Sequence, residues 1–363
     1  MTSAIHHKLA AAAPIWVPLA AVLCAALVGL SLIALTSESA ADAVTAFFDG
    51  AFGSAYAISA SLNRASALAL VGLGFIVANR CNLTNVGGEG QIAVGGIMAT
   101  AIALVPGMAA LPLGLAFVLP LTAAAVAGAA WGAIAGILKV RFGANEVITT
   151  LLLSFVGVSL IYWSVDATYL LRQPMTASDT LPQSLEIATT SKLPLLTASP
   201  SAPLHLGILL TALAAVAVGV TLGYSALSTR LKAVGLNLLA ARRAGIACGT
   251  LLIGALATAG AFGGAAGGLM LLGEQHLLKN GFSSGYGFDG LVVGLLSRGS
   301  ATGVMAGALF FGFLRSGGIN MEISAGVPSA VVLIMQGLIV VAVAGAALLI
   351  ERLERNKSHQ QNF

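Results

Sequence analysis

Apolar runs long enough to cross a membrane recur along the whole chain, each separated from the next by a short polar or glycine-rich break. They fall near 15–35, 62–78, 91–105, 111–138, 147–163, 204–223, 250–273, 301–314 and 328–350. A hydrocarbon core of about 30 Å is crossed by roughly 20 apolar residues of helix, so most of these runs predict a span. A tenth run at 291–297 is too brief to span as a straight helix and predicts a short broken helix near 287–297. The pattern therefore predicts an all-α polytopic membrane protein with nine or ten transmembrane segments, the whole of 1–363 forming one transmembrane domain.

Composition agrees. Hydrophobic residues make up 58% of the chain and charged ones 8%, with a mean hydropathy of +0.97. That balance excludes a soluble globular domain. The first run follows His6, His7 and Lys8 and is longer than the roughly 7 to 15 residues of a secretory signal core, so it reads as a retained first span.

Basic residues cluster in the loops at Arg80, at Lys139 and Arg141, at Arg230, Lys232, Arg242 and Arg243, and at Arg352, Arg355 and Lys357. Positive charge in short loops marks the cytoplasmic side. All four clusters share that side, with both termini cytoplasmic, if the short run at 291–297 returns the chain before Arg298. Orientation accounts for the pI near 9.1, and no basic stripe with interleaved aromatics points to nucleic acid. The proline-rich segment 166–203 is then an external loop. Cys24, Cys81 and Cys248 show no paired spacing, so neither a disulfide framework nor a metal site is expected.

The runs at 111–138, 250–273 and 328–350 hold no ionisable side chain. Glu89, Glu146, Asp289, Arg298 and Arg315 lie at or near span ends. A proton-coupled carrier usually keeps a carboxylate or histidine within its spans, which weakens ion coupling; sodium, held by carbonyls and hydroxyls alone, stays open. The chain contains no Gly-Lys step, hence no phosphate-cradling loop for ATP; any ATP hydrolysis belongs to another chain. Glycines repeat every four residues at Gly128, Gly132 and Gly136, at Gly260, Gly264 and Gly268, and at Gly303 with Gly307. Such stripes let helix backbones approach in lipid, here within the bundle rather than at a dimer seam.

Three polar segments carry the functional signal. Asn82 to Gln91 is glycine-rich and places Glu89 at the start of an apolar run, as either a capping loop or a ligand contact. Gly287-Phe288-Asp289-Gly290 repeats the acid-glycine step in the other half with the opposite membrane direction, which suggests an inverted repeat around a central site. The loop at 228–246 combines helix-forming residues, a Gly235-Leu236-Asn237 break and basic flanks. It is either an orientation loop or a short helix that docks on a cytoplasmic partner.

This last segment resembles the cytoplasmic coupling loop of ATP-binding-cassette (ABC) importer permeases of the ribose and branched-chain amino acid group. Arg230, Gly235, Asn237, Ala240, Ala241, Ala244, Gly245 and Ile246 carry the likeness, with Leu238 where proline is common. Gly-Glu-Gly-Gln at 88–91, the segment 143–151 and the segment 287–303 narrow the resemblance to the nucleoside, or simple-sugar, branch associated with Bmp-type lipoprotein receptors. The likeness covers about 62–350. It implies a bacterial inner-membrane transport subunit that performs no covalent chemistry and holds no cofactor. Its partners would be a second permease chain, a cytoplasmic ATPase and an external substrate-binding lipoprotein. The coupling residues would be Arg230, Gly235, Asn237, Ala240, Ala241, Arg242, Arg243 and Gly245.

A path for a flat, neutral nucleoside needs hydrogen-bonding groups and an aromatic face. Asn85, Glu89, Gln91, Asn145, Thr149, Phe282 and Asp289 are the candidates, each also open to a structural role. The rival readings are a stand-alone ion-coupled carrier of small polar solutes and a passive channel.

Overall fold

The computed structural model of the chain describes residues 27–345 apart from 30, 32, 35–38, 113, 177–180, 198–200, 329, 332, 336, 339–340 and 343–344. In chain order the helices are α1 (Ala40–Phe52), α2 (Ala55–Asn79), α3 (Gly88–Ala103), α4 (Leu115–Phe142), α5 (Glu146–Asp166) and α6 (Gly207–Tyr224). There follow α7 (Ala226–Leu236), α8 (Leu238–Arg243), α9 (Cys248–Met270), α10 (Tyr286–Leu296) and α11 (Ala301–Ala325). A π-helical turn, Leu271–Gln275, extends α9. No strand occurs among the described residues, only isolated bridges.

Six of these helices are long and apolar enough to span a membrane: α2, α4, α5, α6, α9 with its extension, and α11. The expected runs at 15–35 and 328–350, and the basic cluster at Arg352, Arg355 and Lys357, lie largely or wholly outside the described residues. The run at 91–105 departs from expectation. It forms α3, whose 16 residues cover only about 24 Å, less than a full crossing.

One compact unit gathers the two ends of the chain, up to Ile58 and from Leu314; the other is Ser59–Phe313. In the first, Ile33, Ala43, Met321, Val327 and Val331 form a buried cluster, and Asn320 donates to the Ala46 carbonyl at 2.7 Å.

The second unit is built on glycine. α4 and α9 run antiparallel, with Gly128 against Gly260 and Gly264, Gly132 against Leu256, and Gly136 against Ile253. A β-carbon on Gly136 would stand 2.8 Å from the Ile253 Cα, closer than side chains tolerate. The glycine stripes thus serve packing within the chain, where dispersion between close backbones replaces the hydrophobic drive that lipid removes. Against the same stretch of α9 lies α3: Gly95 meets Gly264, and Gly267 meets Ile92 and Gly96. On its other side Gly90 rests on Leu153 and Ser154 of α5. α3 is therefore covered by protein along most of its surface, with Met98 left exposed.

α3 begins inside the bundle. Gly88 sits beside Val71, about two turns or 12 Å before the end of α2. At that level α10 also begins, its Gly287 backbone against Gly88 and Glu89. From there α10 follows α2, with Gly290 on Val71 and Gly294 on Phe75, toward the end where α2 closes. α3 departs the other way and is followed by a turn whose Ala109 carbonyl accepts from the Thr190 hydroxyl of the 167–206 segment at 3.2 Å. The short run at 291–297 thus returns the chain to the Arg80 end before Arg298, as the charge pattern requires.

Replacing Gly264 by leucine should force α4 from α9 and lower stability by about 2–3 kcal/mol, whereas Gly254→Ala, on the open face of α9 where no atom lies within 4 Å of the new methyl, should leave it unchanged or slightly higher. Thermal unfolding of the two purified variants in one detergent checks the contrast.

Candidate functional site

At the meeting of α3 and α10, two helix starts each present backbone N–H groups that their own helix leaves unpaired. Glu89 answers those of α10. Its Oε1 accepts from Gly285 N–H at 2.8 Å and its Oε2 from Gly287 N–H at 2.7 Å, with the side chain 5% exposed. Gly285 holds the left-handed conformation (φ 81°) that ends the preceding loop and turns its amide toward the carboxylate. Glu89 lies in the first turn of α3 as well, so one negative charge faces the positive ends of two helices.

The loop before α3 is fixed in the same way. Asn85 and Gln91 exchange reciprocal amide hydrogen bonds at 3.1 and 3.2 Å, and Asn85 Oδ1 also accepts from Gly87 N–H. Thr150 Oγ1 accepts from Val86 N–H, and the Ser154 hydroxyl donates to the Val86 carbonyl. Thr150 and Ser154 were not expected from the sequence; their only signal was hydroxyls four apart on one face of an apolar run.

Of the other path candidates, Asn145 caps α5, its Oδ1 accepting from Val147 and Ile148 N–H, and the Thr149 hydroxyl donates back to the Asn145 carbonyl. Phe282 is fully buried with its ring against Gly96. Asp289 is half-buried in the first turn of α10. The structure therefore gathers Asn85, Glu89, Gln91, Phe282 and Asp289 around the two helix starts, while Asn145 and Thr149, at the start of α5, bond to the backbone of α5 itself.

The basic loop is a helix pair. Ser225 caps α7, and Asn237 both ends α7 and caps α8, accepting from Ala240 N–H at 2.9 Å. After α8 the Ile246 N–H bonds the Ala241 carbonyl and the Gly245 N–H the Arg242 carbonyl, with Gly245 at φ 80°. That is the left-handed cap that lets a short helix end within one turn. Leu231, Val234 and Ala241 turn inward to Ala78, Cys81, Leu83 and Leu252, and Gly235 rests on the Arg80–Cys81 backbone, its absent β-carbon 2.5 Å from the Arg80 carbonyl oxygen. Burial, with Cys248 adjacent, pushes the Cys81 thiol up to about 11. Arg80 donates to the Leu222 carbonyl at the end of α6, and Lys139 pairs with Glu146 at 2.6 Å between α4 and α5. The outward face shows Leu236 (77% exposed), Leu238 and Leu239 beside Arg230, Lys232, Arg242 and Arg243. None of those four cations has an ion pair among the described residues.

Above this pair, α6 and α9 part to leave a groove of about 370 Å³ that includes Thr221, Leu231, Thr250, Thr258 and Phe262. It contains hydroxyls and an aromatic ring and no charged side chain.

At the opposite end, the 167–206 segment is bonded to the stretch after α9: Leu193 N–H to the Leu272 carbonyl, Ile187 N–H to His276, and Ser184 N–H to Leu278. His205 is buried, with Nδ1 accepting from Gly207 N–H at 3.1 Å. Burial holds its imidazole down to about 4.

Residues 57–344 match the family described as branched-chain amino acid transport system / permease component. The chain belongs to that family. The permease is 35% identical over 344 residues to a glucose ABC transporter permease protein of Haloferax volcanii, covering 90% of this chain and 87% of that one. It is 32% identical over 335 residues to a guanosine ABC transporter permease protein of Bacillus subtilis (91% and 93% covered), and 28% identical over 305 residues to a nucleoside ABC transporter permease protein of Lactococcus lactis (82% and 81%). No solved structure matches the permease.

Glu89→Gln would turn an amide donor toward Gly285 or Gly287 N–H and should lower stability by about 2–3 kcal/mol, read as a fall in Tm of the purified permease. A separate expectation concerns His205. Its folded pKa lies below the unfolded value, so its contribution is complete above about pH 6.5 and is lost as pH falls toward 4. Tm should drop over that window, and His205→Asn, which keeps an acceptor for Gly207, should flatten the drop.

Proposed function

We propose that the permease is the membrane-spanning subunit of an ATP-driven ABC importer that carries nucleosides or closely related simple sugars across the bacterial cytoplasmic membrane. The observation that carries this reading is the α7–α8 pair. It is rigidly seated on the bundle by Leu231, Val234, Gly235 and Ala241, yet turns three leucines and four unpaired cations outward. An apolar knob ringed by charge suits docking on a soluble subunit, because the leucines supply burial and the cations supply orientation.

In this reading a cytoplasmic ATPase grips Arg230, Arg242, Arg243 and the leucines, with Asn237 and Gly245 holding the helix ends in shape. Both termini and the four basic clusters face the cytoplasm, and the 167–206 segment faces an external substrate-binding lipoprotein. A second permease chain completes the membrane part. ATP is bound and hydrolysed on the partner, and its binding shifts the permease between inward- and outward-facing states by differential contacts with this loop. The solute travels the groove between α6 and α9, whose hydroxyls offer hydrogen bonds to a neutral ligand and whose floor, Leu231, belongs to the docking helix. Asn85, Glu89 and Gln91 act as the frame beside the path, since their polar atoms are bonded to one another and to α10.

Charge reversal at the docking face tests the assignment. In the assembled importer, Arg242→Glu with Arg243→Glu should cut ATP-driven guanosine uptake at least tenfold and release the ATPase on purification, while the permease stays in the membrane. Uptake at the unmodified rate with the ATPase still bound would remove the docking role.

A further inference from the structure

A second cavity, of about 400 Å³, opens at the end opposite the coupling loop, and nothing in the function just described uses it. Its walls come from three parts of the chain: Phe117 in the first turn of α4, Thr189, Thr190 and 192–195 with Pro203 of the 167–206 segment, and Gly273 with His276 after α9. The size falls within the range of small-molecule sites, and most of the lining is apolar, with a few polar groups converging.

The polar groups have a definite character. His276 lines the wall half-buried, with its Nδ1 edge turned into the protein. The other edge of the imidazole can give or take one hydrogen bond with a ligand in the cavity. His276 is held below its ordinary pKa, first by burial and then by the Lys192 ammonium, so the ring is neutral near pH 7. Lys192 is paired with Glu186 at 2.6 Å, and the neighbouring buried His205 is neutral. Thr189 adds a hydroxyl at the exposed rim. Against these stand flat apolar surfaces: the Phe117 ring and the faces of Pro194 and Pro203.

From this lining we infer that the cavity is an outer subsite for a nucleoside, its base stacked on Phe117 and the prolines and its polar edge bonded to His276 and Thr189. The inference rests on the importer reading above and assigns it a first binding position before the α6–α9 groove. A ring with two polarised faces and several hydrogen-bonding edges satisfies both halves of the lining. A phosphorylated nucleoside does not, because no unpaired cation lines the cavity to meet its charge. The backbone bonds that tie 184–193 to 272–278 keep the two walls together.

Thiol protection in the assembled importer tests the subsite. A cysteine placed by Thr189→Cys stands at the exposed rim, whereas the native Cys81 and Cys248 are buried. Maleimide labelling of the peptide carrying it is followed by mass spectrometry. With guanosine at ten times its dissociation constant, labelling should slow about tenfold. Guanosine monophosphate and glucose at that concentration should give no protection. Adding His276→Ala removes one hydrogen bond, weakens binding about tenfold, and should leave about twofold protection at the same guanosine concentration. Phe117→Ala should act in the same direction and stands in if the histidine variant does not fold. If Thr189→Cys is labelled at one rate with and without guanosine while the importer still takes up guanosine, the subsite is wrong and the importer reading survives. Equal protection by glucose or the monophosphate, or protection untouched by both lining variants, also overturns it. An importer that takes up no nucleoside at all ends the substrate reading and this subsite with it.

Discussion

A carboxylate between two helix starts is the constraint around which the larger unit is arranged. In lipid every backbone polar group needs a partner within the protein, so a helix that begins at depth requires a device to satisfy its first N–H groups. Glu89 supplies two acceptor oxygens to α10 while standing in the first turn of α3. Because both helix dipoles point their positive ends at it, the charge that would be expensive alone is held by hydrogen bonds and by two favourable fields. Broken helices then become usable: one runs to each face of the bundle from a shared interior level.

That junction in turn demands glycine. Helix starts meeting backbone to backbone leave no room for side chains, as Gly88 and Gly287 show, and the surrounding helices close on them through Gly90, Gly95, Gly264 and Gly267. The outcome is a dense centre of α3, α4 and α9 with looser packing at its edges. The groove between α6 and α9 is one such edge, and Leu231 of α7 contributes its floor. Leu231 is thus shared between the groove wall and the buried seat of α7 and α8.

Much of this was legible in the sequence. The apolar runs located α4, α5, α6 and α9 within a few residues, and caught α2 without its first seven residues and α11 without its last eleven, because spanning length and lack of charge are set by the bilayer and not by neighbours. The charge pattern placed Arg80, Lys139 and the 230–243 cluster at one end, where the Arg80–Leu222 and Gly235–Arg80 contacts join two of them. The Gly235-Leu236-Asn237 break marked where α7 gives way to α8, since caps are local chemistry, although one short helix was expected and two are present. The reading of α3 as a full span failed, because a run of apolar residues does not reveal at what depth its helix begins.

What the sequence determined by itself was the set of elements: their apolar length, their caps and their glycine stripes. Tertiary structure alone decided which of them meet. Two acid-glycine steps some 200 residues apart gave no sign that the backbone amides of one would bind the carboxylate of the other. Asn85 and Gln91 looked as much like ligands as like a mutually bonded pair. Hydrogen-bond partners at such separation depend on where the whole bundle puts each helix start, and no local pattern encodes that position.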